Sequence, residues 1–346
     1  MPTLENDRLV FRFPKIEEEA RFSIDFQRTL RIPDSQETYH LPPGLGRFPV
    51  RHTEDHSSGL PARTATRGGV IIPMSQSEAM WINFRNEGPT RGLDFPVAVK
   101  IAAGKVNAIT GEPWRAGLGR EPQDYIISPE QPWLDGYYVE QGVIRQFVAI
   151  PLGEGYSAEE QLTSDARWGG LQISVVPLKK NVWHAKRTAW ERRQEALSEM
   201  VSISERVRFA VSCSEMGLAP GGRMHQSIEP DPFGLDDWDM AAVDRVFVTI
   251  VHGKDWKAVT GEAAPDHPPT AQDYTDAGLP WFKHYGGDQA ALPGSVRLGR
   301  LKSVGDLYKA FTGAVLPNSK DVKTTAVMPS GQPDCGRPVA TGSWNE

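Results

Sequence analysis

Val97-Ala98-Val99-Lys100-Ile101, followed by Gly104-Lys105 and Ala108-Ile109-Thr110-Gly111-Glu112, is the stretch on which the fold turns, because the chain repeats it. Val246-Phe247-Val248-Thr249-Ile250, Gly253-Lys254 and Ala258-Val259-Thr260-Gly261-Glu262 follow in the same order, with one extra residue before Ala258. Gln123-Asp124-Tyr125 then leads to Pro132-Trp133, just as Gln272-Asp273-Tyr274 leads to Pro280-Trp281. Side chains of an extended segment alternate between faces, so Val97, Val99 and Ile101 share one face while Ala98 and Lys100 take the other. Gly104 and Gly111 suit reversals that need a positive φ. The pattern predicts a strand with tight turns, built twice.

The same alternation extends outward. Leu9 to Phe13, Phe22 to Phe26, Val70 to Met74, Met80 to Phe84, Val143 to Ile150, Leu171 to Val176 and Val207 to Cys213 all read as strands. One segment breaks the rule: Trp183, Trp190 and Leu197 recur at helical spacing, with Ala196, Met200 and Ile203 on the same stripe. The expected fold is mainly β, with two related β-sandwich-like modules from an internal duplication joined by that one long helix. The boundaries fall at 1–180 for the first module, with a long loop over 35–67, and 181–203 for the helix. The second module follows over 204–315, and a Pro/Gly-rich tail over 316–346 is read as flexible or as an inter-subunit arm.

Composition removes several function classes. Lys+Arg 38 against Asp+Glu 44 leaves a net charge of −6 without a long basic run, which argues against nucleic acid as a partner. No apolar run approaches the ~20 residues of a membrane-spanning helix, and no signal segment opens the chain. The two cysteines, Cys213 and Cys335, are too few for a disulfide framework, so a reducing cytoplasm is expected. Ten tryptophans among 33 glycines and 28 prolines suit short strands with large aromatic anchors between many turns.

Candidate chemistry follows from residue type. Glu112 with Asp124, and Glu262 with Asp273, are the carboxylate pairs available for acid/base work, which requires one member in a partly dry pocket. Trp133 and Trp281 are the candidate ligand-binding rings, since an exposed indole stacks on a sugar face. Asp231, Asp236, Asp237 and Asp239 gather hard oxygen ligands that suit Ca²⁺, although their spacing is not that of an EF-hand loop. No phosphate loop, dinucleotide fingerprint or nucleophile elbow occurs, and no cofactor is expected.

Arg28-Thr-Leu-Arg-Ile-Pro-Asp34, Leu41-Pro-Pro-Gly-Leu-Gly-Arg-Phe-Pro49, Gln131-Pro-Trp-Leu-Asp-Gly136, Ile144-Arg-Gln-Phe-Val-Ala-Ile-Pro-Leu-Gly153 and Met216-Gly-Leu-Ala-Pro-Gly-Gly222 carry a resemblance. The chain resembles an uncharacterised family of bacteria and fungi whose members are often labelled "integral membrane protein". The likeness covers most of the chain outside the tail and implies no activity and no catalytic residues. The expected function is that of a soluble, non-enzymatic structural protein that self-associates into a homo-oligomer, because a duplicated chain imitates a dimer. A glycan- or small-ligand-binding β-protein and an enzyme using the paired carboxylates are the alternatives.

Overall fold

The computed structural model describes residues 1–35, 37–90, 92–164, 167–195, 216–283, 291–324 and 327–329. Strands make up 35% and helices 22%, so the chain is mainly β as its alternation predicts.

The first large sheet is built around Arg21–Thr29, where Phe22, Ile24 and Phe26 are fully buried. Ser23, Asp25 and Gln27 fall on the opposite face. There Asp25 accepts hydrogen bonds from Arg8 at 3.0 Å and Asn83 at 3.3 Å, so the charge is paired where it is buried. Arg21–Thr29 pairs antiparallel with Arg8–Arg12 and with Ala79–Glu87. The sheet continues through Val143–Ile150 and Gly217–His225 to a parallel edge at Thr38–Tyr39.

The second large sheet runs Val106–Asn107, Val97–Ala103, Leu171–Pro177, Asp244–His252, Val70–Met74 and Arg51–His52. Its inward residues Val97, Val99, Ile101, Ile173, Val175, Val248 and Ile250 join Phe22, Ile24 and Phe26 of the first sheet in one continuous apolar core. Strands from either side of residue 204 occur in both sheets. The outward face of Val97–Ala103 is covered too: Ala98 packs with Leu118, Tyr125, Val176 and Trp238 in a separate cluster.

Both copies of the repeated strand lie in this second sheet, on either side of Leu171–Pro177 and antiparallel to it. Their corners also match. Thr110 Oγ1 accepts from Glu112 N at 3.2 Å, and Thr260 Oγ1 from Glu262 N at 3.2 Å. Gly111 has φ +72° and Gly261 φ +79°, the left-handed region that glycine tolerates. Between strand and corner the copies differ. The first turns at Gly104 into Val106–Asn107, whereas the second forms a helix, Gly253–Thr260, capped by His252. Trp256, fully buried against Leu60, Ile71 and Val251, anchors that helix, which accommodates the extra residue. The difference continues downstream: Asp124 lies just before the strand Ile126–Ser128, while Asp273 lies in the helix Ala271–Asp276.

The expected long helix is present as Lys180–Glu195, and its predicted continuation to 203 lies outside the described residues, as do the Val207–Cys213 strand and Cys335. Trp183 is fully buried, its ring edge-on to Phe95 at 4.9 Å and its indole N–H donating to Glu17 at 3.1 Å. The helix is therefore packed on the core through its aromatic stripe. Part of the tail is held as well. Arg31 donates to Ser319 Oγ at 2.6 Å, Tyr39 donates to Asp321 at 2.9 Å, and Val327–Pro329 pairs parallel with Trp281–Lys283. Residues 330–346 lie outside the described residues. Among the described residues no helix is long and apolar enough to cross a membrane.

Candidate ligand-binding cavity

Two neighbouring stretches, 109–112 and 120–123, and a third far along the chain, 292–297, line an open cavity of about 460 Å³. The first is the corner of the first repeat copy. Asn107 Oδ1 accepts from the backbone N–H of Ile109 at 2.8 Å and Thr110 at 2.9 Å, which closes the turn and brings Ile109 and Glu112 to the cavity. A Cβ at Gly111 would lie 2.9 Å from Leu298 Cγ, so the corner also needs glycine for close approach.

The second segment carries Arg120, Pro122 and Gln123. Asp124 holds it, accepting from Gly119 N at 2.8 Å and from Lys100 Nζ at 2.5 Å. Lys100 projects from the outer face of its strand, is 2% exposed, and also donates to Gly117 O at 2.7 Å. The Gln123 amide donates to Tyr125 O and Glu229 O and accepts from Asp231 N. The third segment, 292–297, is tied down by Tyr138, which donates to Leu292 O at 2.6 Å, and by Ser295 Oγ, which donates to Thr110 O at 2.6 Å.

The resulting walls are apolar at Ile109, Pro122, Leu292 and Val296 and charged at Glu112, Arg120, Glu121 and Arg297. The two arginines differ. Arg120 donates to the carbonyls of Phe233 and Asp231 at 2.5 and 3.4 Å and lies 3.9 Å from the Asp231 carboxylate. Arg297 faces Glu112 only across 3.8 Å, and its buried Nε has no acceptor among the described residues. A buried donor on a charged group without an acceptor is costly. Arg297 lines the cavity with 38% of its side chain exposed, and a guanidinium so placed can grip an anionic oxygen beside an apolar body.

Of the sequence candidates, only Glu112 lines this cavity. Asp124 supports one wall through Lys100. Glu262 accepts two bonds from Arg51, at 3.0 and 2.9 Å, and Asp273 caps its own helix through Thr270, whose hydroxyl holds the carboxyl below its ordinary pKa. Each of the four carboxylates thus answers to a different partner. Trp133 and Trp281 are core residues, 2% and 0% exposed. Their indole N–H groups donate to Asp135 at 2.7 Å and Thr275 at 3.2 Å.

The four aspartates do not converge either. Asp231 is buried and accepts from Tyr125 Oη at 2.6 Å, Trp238 Nε1 at 2.9 Å and Phe233 N at 2.8 Å. Burial, with this carboxylate beside it, pushes the Tyr125 hydroxyl far above the usual tyrosine pKa. Asp237 and Asp239 accept from the backbone N–H groups of Gly234 and Ala241, and Asp236 is exposed. Among the described residues no three His, Cys, Asp or Glu side chains gather as a cation set.

Sequence reasoning missed Arg120, Ser295 and Arg297. Their neighbours in the chain form no recognisable motif, and the third segment reaches the cavity only through tertiary contacts. Comparison of the chain with family profiles, curated proteins and solved structures returns no match.

Proposed function

We propose that this chain is a small-ligand-binding β-protein and that the cavity between the first repeat's corner and residues 292–297 is its binding site. The observation that carries the reading is the cavity itself. Its volume of about 460 Å³ falls in the range of small-molecule sites, with apolar walls and a few polar groups to orient a ligand. The reading takes the two sheets as one sandwich around the shared core and the repeated strand and corner as a duplication within it. On this reading Asp124, Glu262 and Asp273 serve architecture, because each has a fixed partner of its own, and Glu112 alone faces the cavity. The sparse cysteine content supports residence in the cytoplasm.

The test is thermal-shift screening of the full chain against a panel of small acids, amides and sugars, repeated with Val296→Trp. Val296 is 75% exposed at the cavity, so the bulkier ring obstructs the site without entering the core. Compounds that raise Tm for the parent chain and not for the variant support the reading. No stabilising compound, or shifts that survive the substitution, refutes it.

Self-association into a structural assembly is the second reading. Phe311 and Val315 are 60% and 67% exposed, and Phe311 lies edge-on to Tyr156 at 5.3 Å, leaving apolar surface of the kind that contacts between copies cover. Light scattering that returns only monomer across concentrations removes it.

A further inference from the structure

The cavity's unspent hydrogen-bonding capacity names a ligand class, and this step rests on the binding reading above. The floor is already committed: Thr110 O is taken by Ser295, and both ends of the Gln123 amide are engaged. Arg120 is anchored away from the ligand by the carbonyls of Phe233 and Asp231, which take two of its five N–H donors. Arg297 is different: it lines the cavity with 38% of its side chain exposed, and its counterion there, Glu112, is held only at 3.8 Å. We infer that the cavity takes a small organic monocarboxylate with an apolar body, its carboxylate on Arg297 and its body against Ile109, Pro122 and Leu292.

Charge selects one negative charge over two. Two arginines and two glutamates line the cavity, so its side chains carry no formal net charge to balance a dianion such as phosphate monoester. A single carboxylate matches the planar guanidinium fork and replaces Glu112 as the counterion of Arg297, releasing Glu112 to solvent, where half of its side chain already lies. Glu112 is thereby a competitor for the ligand's anchor rather than an acid or base.

Isothermal titration calorimetry on the full chain tests this with octanoate and 3-phenylpropanoate against their neutral amides. Each carboxylate is expected to bind at least about tenfold more tightly than its amide. Arg297→Met, which keeps the apolar stem, should erase that ratio while leaving amide affinity unchanged, and Glu112→Gln should tighten the carboxylates several-fold without affecting the amides. Acid and amide binding equally, with Arg297→Met indifferent, overturns the ligand class but leaves the cavity reading standing. Neither acid nor amide binding, together with an empty thermal-shift panel, overturns both.

Discussion

Asp124→Ala isolates the pair that joins the second sheet to the cavity wall. In the native chain Lys100 Nζ has three neighbours: Asp124 Oδ2 at 2.5 Å, Gly117 O at 2.7 Å, and the Trp114 ring with its centroid at 5.4 Å. Removing the carboxylate leaves an ammonium on a side chain 2% exposed with no counterion among the described residues. Breaking a buried ion pair from one side costs about 3–5 kcal/mol. The 18% exposure of Asp124 allows water to relieve part of this, which places the expected loss near about 3 kcal/mol. The loss of the acceptor for Gly119 N adds on the order of 1 kcal/mol and loosens the Arg120–Gln123 wall.

Urea unfolding of Asp124→Ala, Lys100→Met and the double variant measures these terms. The double variant should recover most of the stability lost by Asp124→Ala, because no charge is then left buried. Added salt should change the parent only slightly, since buried pairs are weakly screened. A loss below about 1 kcal/mol for Asp124→Ala, the yield typical of a surface pair, would refute the reasoning. So would a double variant as unstable as the single one.

The two repeat corners supply an internal control. Gly111→Ala and Gly261→Ala both force a side chain into a left-handed backbone, at about 1–2 kcal/mol, but only at Gly111 does the new Cβ also meet Leu298, at 2.9 Å. Gly111→Ala should therefore destabilise more in urea, and equal losses would contradict the packing at that corner. Trp183→Ala empties a fully buried site against Phe95 and should cost about 3–5 kcal/mol by the same assay; a surface-like change below about 0.5 kcal/mol would show that the helix does not rest on the core. Glu140 sets an acid limit. Two bonds from Arg223, at 2.8 and 2.7 Å, hold its carboxyl below the ordinary pKa. The stabilisation is complete above an unfolded value of about 4.3 and is lost as pH falls through the lower folded value. The urea midpoint of the parent should fall more steeply over this acid range than that of Glu140→Gln, and parallel curves would count against the linkage.

Alternating side chains make the strands legible in the chain itself, and helical spacing at Trp183 and Trp190 makes the helix legible. These are relations between near neighbours. The recurrence at 97–112 and 246–262 is equally visible, yet it does not reveal that both strands flank Leu171–Pro177 in one sheet, because strand pairing joins residues whose separation leaves no local signal. Identical Gln-Asp-Tyr triplets enter a strand in one copy and a helix in the other. Trp256 and the extra residue beside it, packed on Leu60 and Val251, mark where the two paths part.

Residue type alone determined that Glu112 and Asp124 could do acid/base work and that Trp133 and Trp281 could stack on a ligand. Only tertiary structure decided how that potential was used. It set Asp124 against Lys100, buried both indoles, and laid Ser295 and Arg297 over a corner well away in the chain. A cavity is a property of the surfaces that happen to meet, and which charges line it is decided by contacts between segments that no local pattern joins.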